Sequence, residues 1–133
     1  MDKSKHATLL SGIKICIVED DAFFRKLLEK KLLNHGATVS PAENGEQALD
    51  LVSQFRFDLI ILDLLLPGID GFEFLRRRST NIEASKIPVM ILSNFSEPNQ
   101  LKMAKDLGVK TYLVKAAVNM EMVIEEIRKI LNK

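Results

Sequence analysis

The chain alternates between two kinds of apolar pattern, and this alternation restricts its fold more than any other feature. Short continuous apolar runs occur at residues 13–18, 59–62, 89–92 and 112–114, with a mixed one at 38–42. Runs of that length bounded by turn residues suit strands buried on both faces, as in a parallel sheet. Between them lie stripes of helical period. Phe24, Leu27, Leu28 and Leu32 form the first, and Ala48, Leu49, Val52 and Phe55 the second. Phe72 and Leu75 begin a third, and Leu101, Ala104 and Leu107 make a fourth. Met120, Val123, Ile124, Ile127, Ile130 and Leu131 make the fifth and longest.

Punctuation agrees with these segments. Asp21, Asn44 and Asn119 stand where helices should begin, Pro98 suits a first turn, and Gly36 and Gly108 stand where helices should stop. Five strand–helix units in strict alternation predict an α/β fold with a parallel sheet and right-handed crossovers. Residues 12–133 read as one domain and residues 1–11 as a loose tail.

Charge narrows the function. Lys plus Arg number 19 and Asp plus Glu 18, so no excess points to nucleic acid or to an anionic membrane. The N-terminus lacks the apolar core of a secretory signal, and no apolar run is long enough to span a bilayer. The single cysteine, Cys16, lies in an apolar run and reads as buried and inert. A soluble cytoplasmic protein is the expectation.

The strand ends carry the chemistry. The first run ends in Glu19-Asp20-Asp21, the third in Asp63, the fourth in Ser93-Asn94 and the fifth in Lys115. In an open parallel sheet the ligand site lies beyond the carboxyl ends of the strands, so these groups gather on one edge. Asp58 begins the strand that Asp63 ends, roughly 17 Å away, and reads as a turn residue. Three crowded carboxylates repel one another unless a cation intervenes. All-oxygen ligands suit Mg2+ better than zinc. Lys115 adds a point cation and Ser93 a hydroxyl. A carboxylate so braced can be the nucleophile that forms an acyl phosphate, which explains Asp63 inside the apolar stretch IILDLLLPGIDG.

These residues resemble the receiver domain of two-component response regulators, over nearly the whole chain. The motifs are IVEDD, AENGEQAL, DLIILDLLLPGIDGFE, IPVMILS and YLVK, in that order. The resemblance implies a flavodoxin-like (receiver) fold, a five-stranded parallel sheet of order 2-1-3-4-5 with helices on both faces. It implies that Asp63 takes a phosphoryl group from a sensor histidine kinase or a phosphotransfer protein. It assigns Glu19, Asp20, Asp63 and the backbone carbonyl of Leu65 to the metal, with Asp20 the direct acidic ligand of the pair. Ser93 and Tyr112 become the switch pair, and output leaves through the fourth helix, fifth strand and fifth helix, toward a homodimer or another protein. Met122, outside the core stripe of the last helix, is expected to be exposed there.

Two positions depart from the receiver pattern. Ala116 follows Lys115 where proline in a cis peptide is usual, which implies either a rearranged loop or strain. Asn94 stands where a small residue is usual, at the phosphoryl entrance. Leu65 and Phe95 flank the path of a hydrolytic water and cannot orient one, which implies slow autodephosphorylation; Asn94 is the alternative water-positioning group.

Competing readings are weaker. A phosphatase of the haloacid dehalogenase class needs a second aspartate where Leu65 stands. An unphosphorylated adaptor receiver is argued against by the presence of the acids, Ser93 and Lys115. No dinucleotide or P-loop motif occurs. Arg76-Arg77-Arg78 reads as decoration of the third helix end, and His6 and His35 as surface residues.

Overall fold

The computed structural model of the chain describes residues 9–95 and 97–133. Its elements are β1 (Lys14–Val18), α1 (Ala22–Asn34), β2 (Thr38–Ala42), α2 (Gly45–Gln54), β3 (Leu59–Leu62), α3 (Gly71–Arg78), β4 (Val89–Ser93), α4 (Pro98–Asp106), β5 (Thr111–Val114) and α5 (Met120–Leu131). One helical turn at Ile82–Ser85 separates α3 from β4, and a 3-10 turn at Lys115–Ala117 follows β5. The five strands are parallel, in the order β2-β1-β3-β4-β5.

The central strands are apolar throughout because both of their faces are covered. Cys16, Val18, Ile60, Leu62, Val89 and Ile91 pack with Ala48, Val52, Phe72, Leu75 and Ala104 of α2, α3 and α4. Their sequence neighbours Ile15, Ile17, Leu59, Ile61, Met90 and Leu92 pack on the other face with Leu28, Leu32, Val123, Ile124 and Ile127 of α1 and α5. Side chains of a strand alternate between faces, so each four-residue apolar run serves two cores. The caps fall where the sequence places them. Asp21 accepts from the amides of Phe23 and Phe24, Asn44 from Gln47 and Asn119 from Met122.

Some expectations fail for identifiable reasons. Leu27 and Leu101 are exposed, because each covered helix face is narrower than its apolar stripe, and Phe55 is exposed because α2 stops at Gln54 and leaves it as an extended cap. Leu10 is fully buried in the α1–α5 core, and its amide donates to His35 O at 2.9 Å. The loose tail therefore does not extend through residue 11; residues 1–8, including His6, lie outside the described residues. His35 is buried at the C-terminal cap of α1, at the sheet edge away from the carboxyl ends of the strands. Arg76 and Arg77 pair with Glu73 on the surface as solvated charges. Arg78 instead turns inward, and its guanidinium donates to Ala84 O at 2.9 Å.

Candidate functional site

Strand register builds the site. Val18 pairs with Leu62 and Ser93 with Val114, so the residues just beyond them, Glu19, Asp63 and Lys115, meet on one edge. Asp63 is 6% exposed, yet its carboxylate is fully engaged. One oxygen, Oδ1, accepts from Ser93 Oγ at 2.7 Å and from the Leu65 amide at 3.1 Å. The other, Oδ2, faces Lys115 Nζ at 2.7 Å. The same ammonium lies 2.5 Å from Glu19 Oε1 and 4.7 Å from the centroid of the Phe24 ring. A carboxylate can stand inside an apolar run here because each oxygen has a partner.

The electrostatics follow from crowding. Burial pushes the Glu19 carboxyl up to about 7, against the pull of Lys115 and the Asp21 amide; the Asp63 charge adds to the rise. Burial alone would lower the Lys115 pKa, but its bonds to Asp63 and Glu19 outweigh that and raise it. Tyr112 is raised by burial and then by the Asp63 charge. Burial pushes the Cys16 thiol up to about 12, so it is inert.

Glu19, Asp20 and Asp63 each offer an oxygen within 4.8 Å of the others, with Asp20 exposed and its two neighbours buried. With all three ionised, one lysine leaves the cluster two negative charges in excess. That donor set and that excess fit a hard divalent cation. The loop after β3 runs close beside these acids. Gly68 takes a φ of +74°, open to glycine at little cost. A Cβ on Gly71 would come within 2.8 Å of Leu64 Cα and 2.9 Å of Asp63 O, so α3 starts directly against the backbone of Asp63.

The remaining residues named from sequence divide. Ser93 is fully buried, and its Oγ also accepts from the Phe95 amide at 3.2 Å. The Tyr112 hydroxyl donates to Phe95 O. Phe95 is half-buried against the α2–α4 core, whereas Leu65 is 54% exposed. Asn94 is exposed, and its Oδ1 accepts from the Ala116 amide at 2.9 Å. No cis peptide occurs among the described residues, and Ala116 lies in the 3-10 turn Lys115–Ala117. Asp58 sits at the far end of β3, accepting from the Lys14 amide at 2.8 Å. Met122 is exposed on α5.

Arg25 was not singled out from sequence. It is buried, and its guanidinium donates to Glu19 O at 2.8 Å, with Glu43 3.3 Å away on the outside. Its signal is spacing: Arg25, Leu28 and Leu32 are the inward positions of α1.

Comparison with known proteins points one way. The family model of the response regulator receiver domain matches residues 15–128. Sporulation initiation phosphotransferase F of Bacillus subtilis is 38% identical over 77% of this chain and 81% of its own length. A probable transcriptional regulator, ycf29, of Pyropia yezoensis is 36% identical over 77% of this chain, which spans only 46% of that relative's length. The crystal structure of Vibrio cholerae chemotaxis protein CheY4 superposes with a TM-score of 0.84 at 28% identity, covering 90% of this chain and 98% of that one. No helix among the described residues is long and apolar enough to cross a membrane.

Proposed function

The chain belongs to the response regulator receiver domain family, and from that premise we propose that Asp63 accepts a phosphoryl group from the phosphohistidine of a sensor kinase or phosphotransfer protein in the cytoplasm. One observation carries the reading. A buried carboxylate has one oxygen on a hydroxyl and the other on an ammonium, within 4.8 Å of two further acids. In the transfer, an Asp63 oxygen forms the new P–O bond as the donor's P–N bond breaks, and that electron pair stays on the imidazole nitrogen. Lys115 stays protonated and faces the charge on the phosphoryl oxygens. Ser93 Oγ–H transfers its hydrogen bond from Asp63 to the phosphoryl group. Glu19, Asp20, Asp63 and the Leu65 carbonyl would hold Mg2+, which neutralises phosphoryl charge when bound. Arg25 keeps the acidic loop in place through Glu19 O.

Output follows from the same bonds. Ser93 Oγ accepts from the Phe95 amide and Tyr112 donates to Phe95 O, so a turn of Ser93 toward the phosphoryl group disturbs both. This shifts the population of the α4–β5–α5 surface, where a homodimer or a downstream protein binds. The domain spans residues 12–133, with Leu10 packed onto it. Leu65 and Phe95 make autodephosphorylation slow.

The test is intact-mass measurement after incubation with acetyl phosphate and Mg2+. One phosphoryl adduct is expected, absent in Asp63→Asn and absent with chelator. An unmodified wild type would refute the reading and favour an unphosphorylated adaptor.

A further inference from the structure

Asn94 directly follows Ser93, and Ala116 directly follows Lys115. The neighbours of the two groups that hold Asp63 are therefore bonded to each other, Ala116 N to Asn94 Oδ1 at 2.9 Å. The β4–β5 ladder ends at Ser93 and Val114. Beyond it the chains part, and the Asn94–Ala116 bond is a side-chain link that continues across the gap. Lys115 needs such a link. Its ammonium sits on a flexible four-carbon stem and must stand 2.7 Å from Asp63 and 2.5 Å from Glu19. A flexible stem places its head reproducibly only when its own backbone is fixed.

We infer that Asn94 is a positioning residue: its side-chain carbonyl clasps the Ala116 amide and thereby holds the Lys115 ammonium on Asp63. The bond requires an N–H at residue 116, which proline lacks. The two departures from the receiver pattern are thus partners of one another. The acceptor oxygen of Asn94 is spent on the loop and not on a hydrolytic water. The use of the clasp in phosphoryl transfer rests on the phosphoacceptor reading; its geometry does not.

The test compares wild type with Asn94→Leu, similar in shape but lacking the acceptor, and Asn94→Asp, which keeps one. Two readouts need no phosphoryl chemistry: hydrogen exchange of the Ala116 amide, and acylation of Lys115 by an N-hydroxysuccinimide ester, mapped by mass spectrometry. In wild type the Lys115 side chain is 14% exposed and ion-paired, whereas Lys129 is 72% exposed and serves as the internal control. In Asn94→Leu the Ala116 exchange rate rises about two- to tenfold over wild type and Lys115 acylation rises by a similar factor relative to Lys129, and Asn94→Asp returns both toward wild type. Phosphorylation by acetyl phosphate slows in parallel. Asn94→Ala, read the same way, guards against an effect peculiar to leucine. Unchanged Lys115 acylation in both acceptor-free variants overturns the inference, whether or not the Ala116 amide is released. A wild type that takes no phosphoryl group refutes the functional reading, while exchange and acylation still judge the clasp.

Discussion

Lys115→Met, which keeps the stem and removes the charge, tests how the site is held together. The ammonium serves two carboxylates, Glu19 at 3% and Asp63 at 6% exposure, at 2.5 and 2.7 Å. At an effective dielectric constant of about 20, each contact carries about 6 kcal/mol of gross attraction. Most of that offsets desolvation. Breaking a buried pair by removing one partner costs about 3–5 kcal/mol, because a charge is left buried without a counterion. The low end applies near pH 7, because Glu19 already titrates at about 7 and can take up a proton in the variant. The sign of the pH dependence follows from linkage. Above pH 7 the native variant keeps a Glu19 proton that native wild type and both unfolded chains have lost, so its relative stability falls as pH rises, by up to about 1.4 kcal/mol per unit. Urea unfolding in EDTA should therefore show a loss of about 3 kcal/mol at pH 7, growing toward pH 8.5. Mg2+ at a hundredfold excess over its Kd should return about 2.7 kcal/mol. A loss below about 1 kcal/mol with no pH slope would refute the argument, since a buried pair costs more to break than that.

Other outcomes follow from the same contacts. Glu19 has its carboxyl raised by burial from 4.5 to about 7, so the stability of its protonated form is present in full below pH 4.5 and is lost as pH rises through 7. Metal-free wild type should lose about 3 kcal/mol relative to Glu19→Gln across that window; a flat difference in urea midpoints would contradict the assignment. Gly71→Ala drives a Cβ into Leu64 Cα and Asp63 O, at 2.8 and 2.9 Å, and should cost about 1–3 kcal/mol while slowing phosphorylation. Normal rates in that variant would mean that α3 does not position Asp63. For the lifetime of the phosphorylated state, Leu65→Asn and Phe95→Glu should hasten phosphate loss in a decay time course. If neither changes the rate and Asn94→Ala slows it, Asn94 is the water-positioning group.

How much of this was legible in the sequence depends on what each residue answers to. The strands were legible because covering both faces of a parallel sheet forces continuous apolar runs, and Leu59–Leu62 is buried at every position. The site was legible because parallel strands end on one edge, so Glu19, Asp63, Ser93 and Lys115 could be placed together without coordinates. Periodicity failed where it counted apolar residues instead of inward ones. Leu27 and Phe55 belong to their stripes by type yet face solvent, while Arg25 and Arg78 face inward with their guanidinium groups on backbone carbonyls. A buried arginine that caps a carbonyl has the sequence appearance of a surface charge.

The Asn94–Ala116 bond was hidden for a different reason. Both residues stood out as departures, but 22 positions separate them, and neither periodicity nor motif order says which residues of two loops face each other. Strand register supplies that relation. Once Ser93 is set opposite Val114, the residue one step beyond the first and the residue two steps beyond the second come within hydrogen-bond reach. A polar side chain at the first can then be satisfied by an N–H at the second. Seen singly, Ala116 suggests a weakened loop and Asn94 an obstructed entrance. Set side by side by the register, each supplies what the other needs, and the loop that carries Lys115 is held by a side chain that had seemed to threaten access to Asp63.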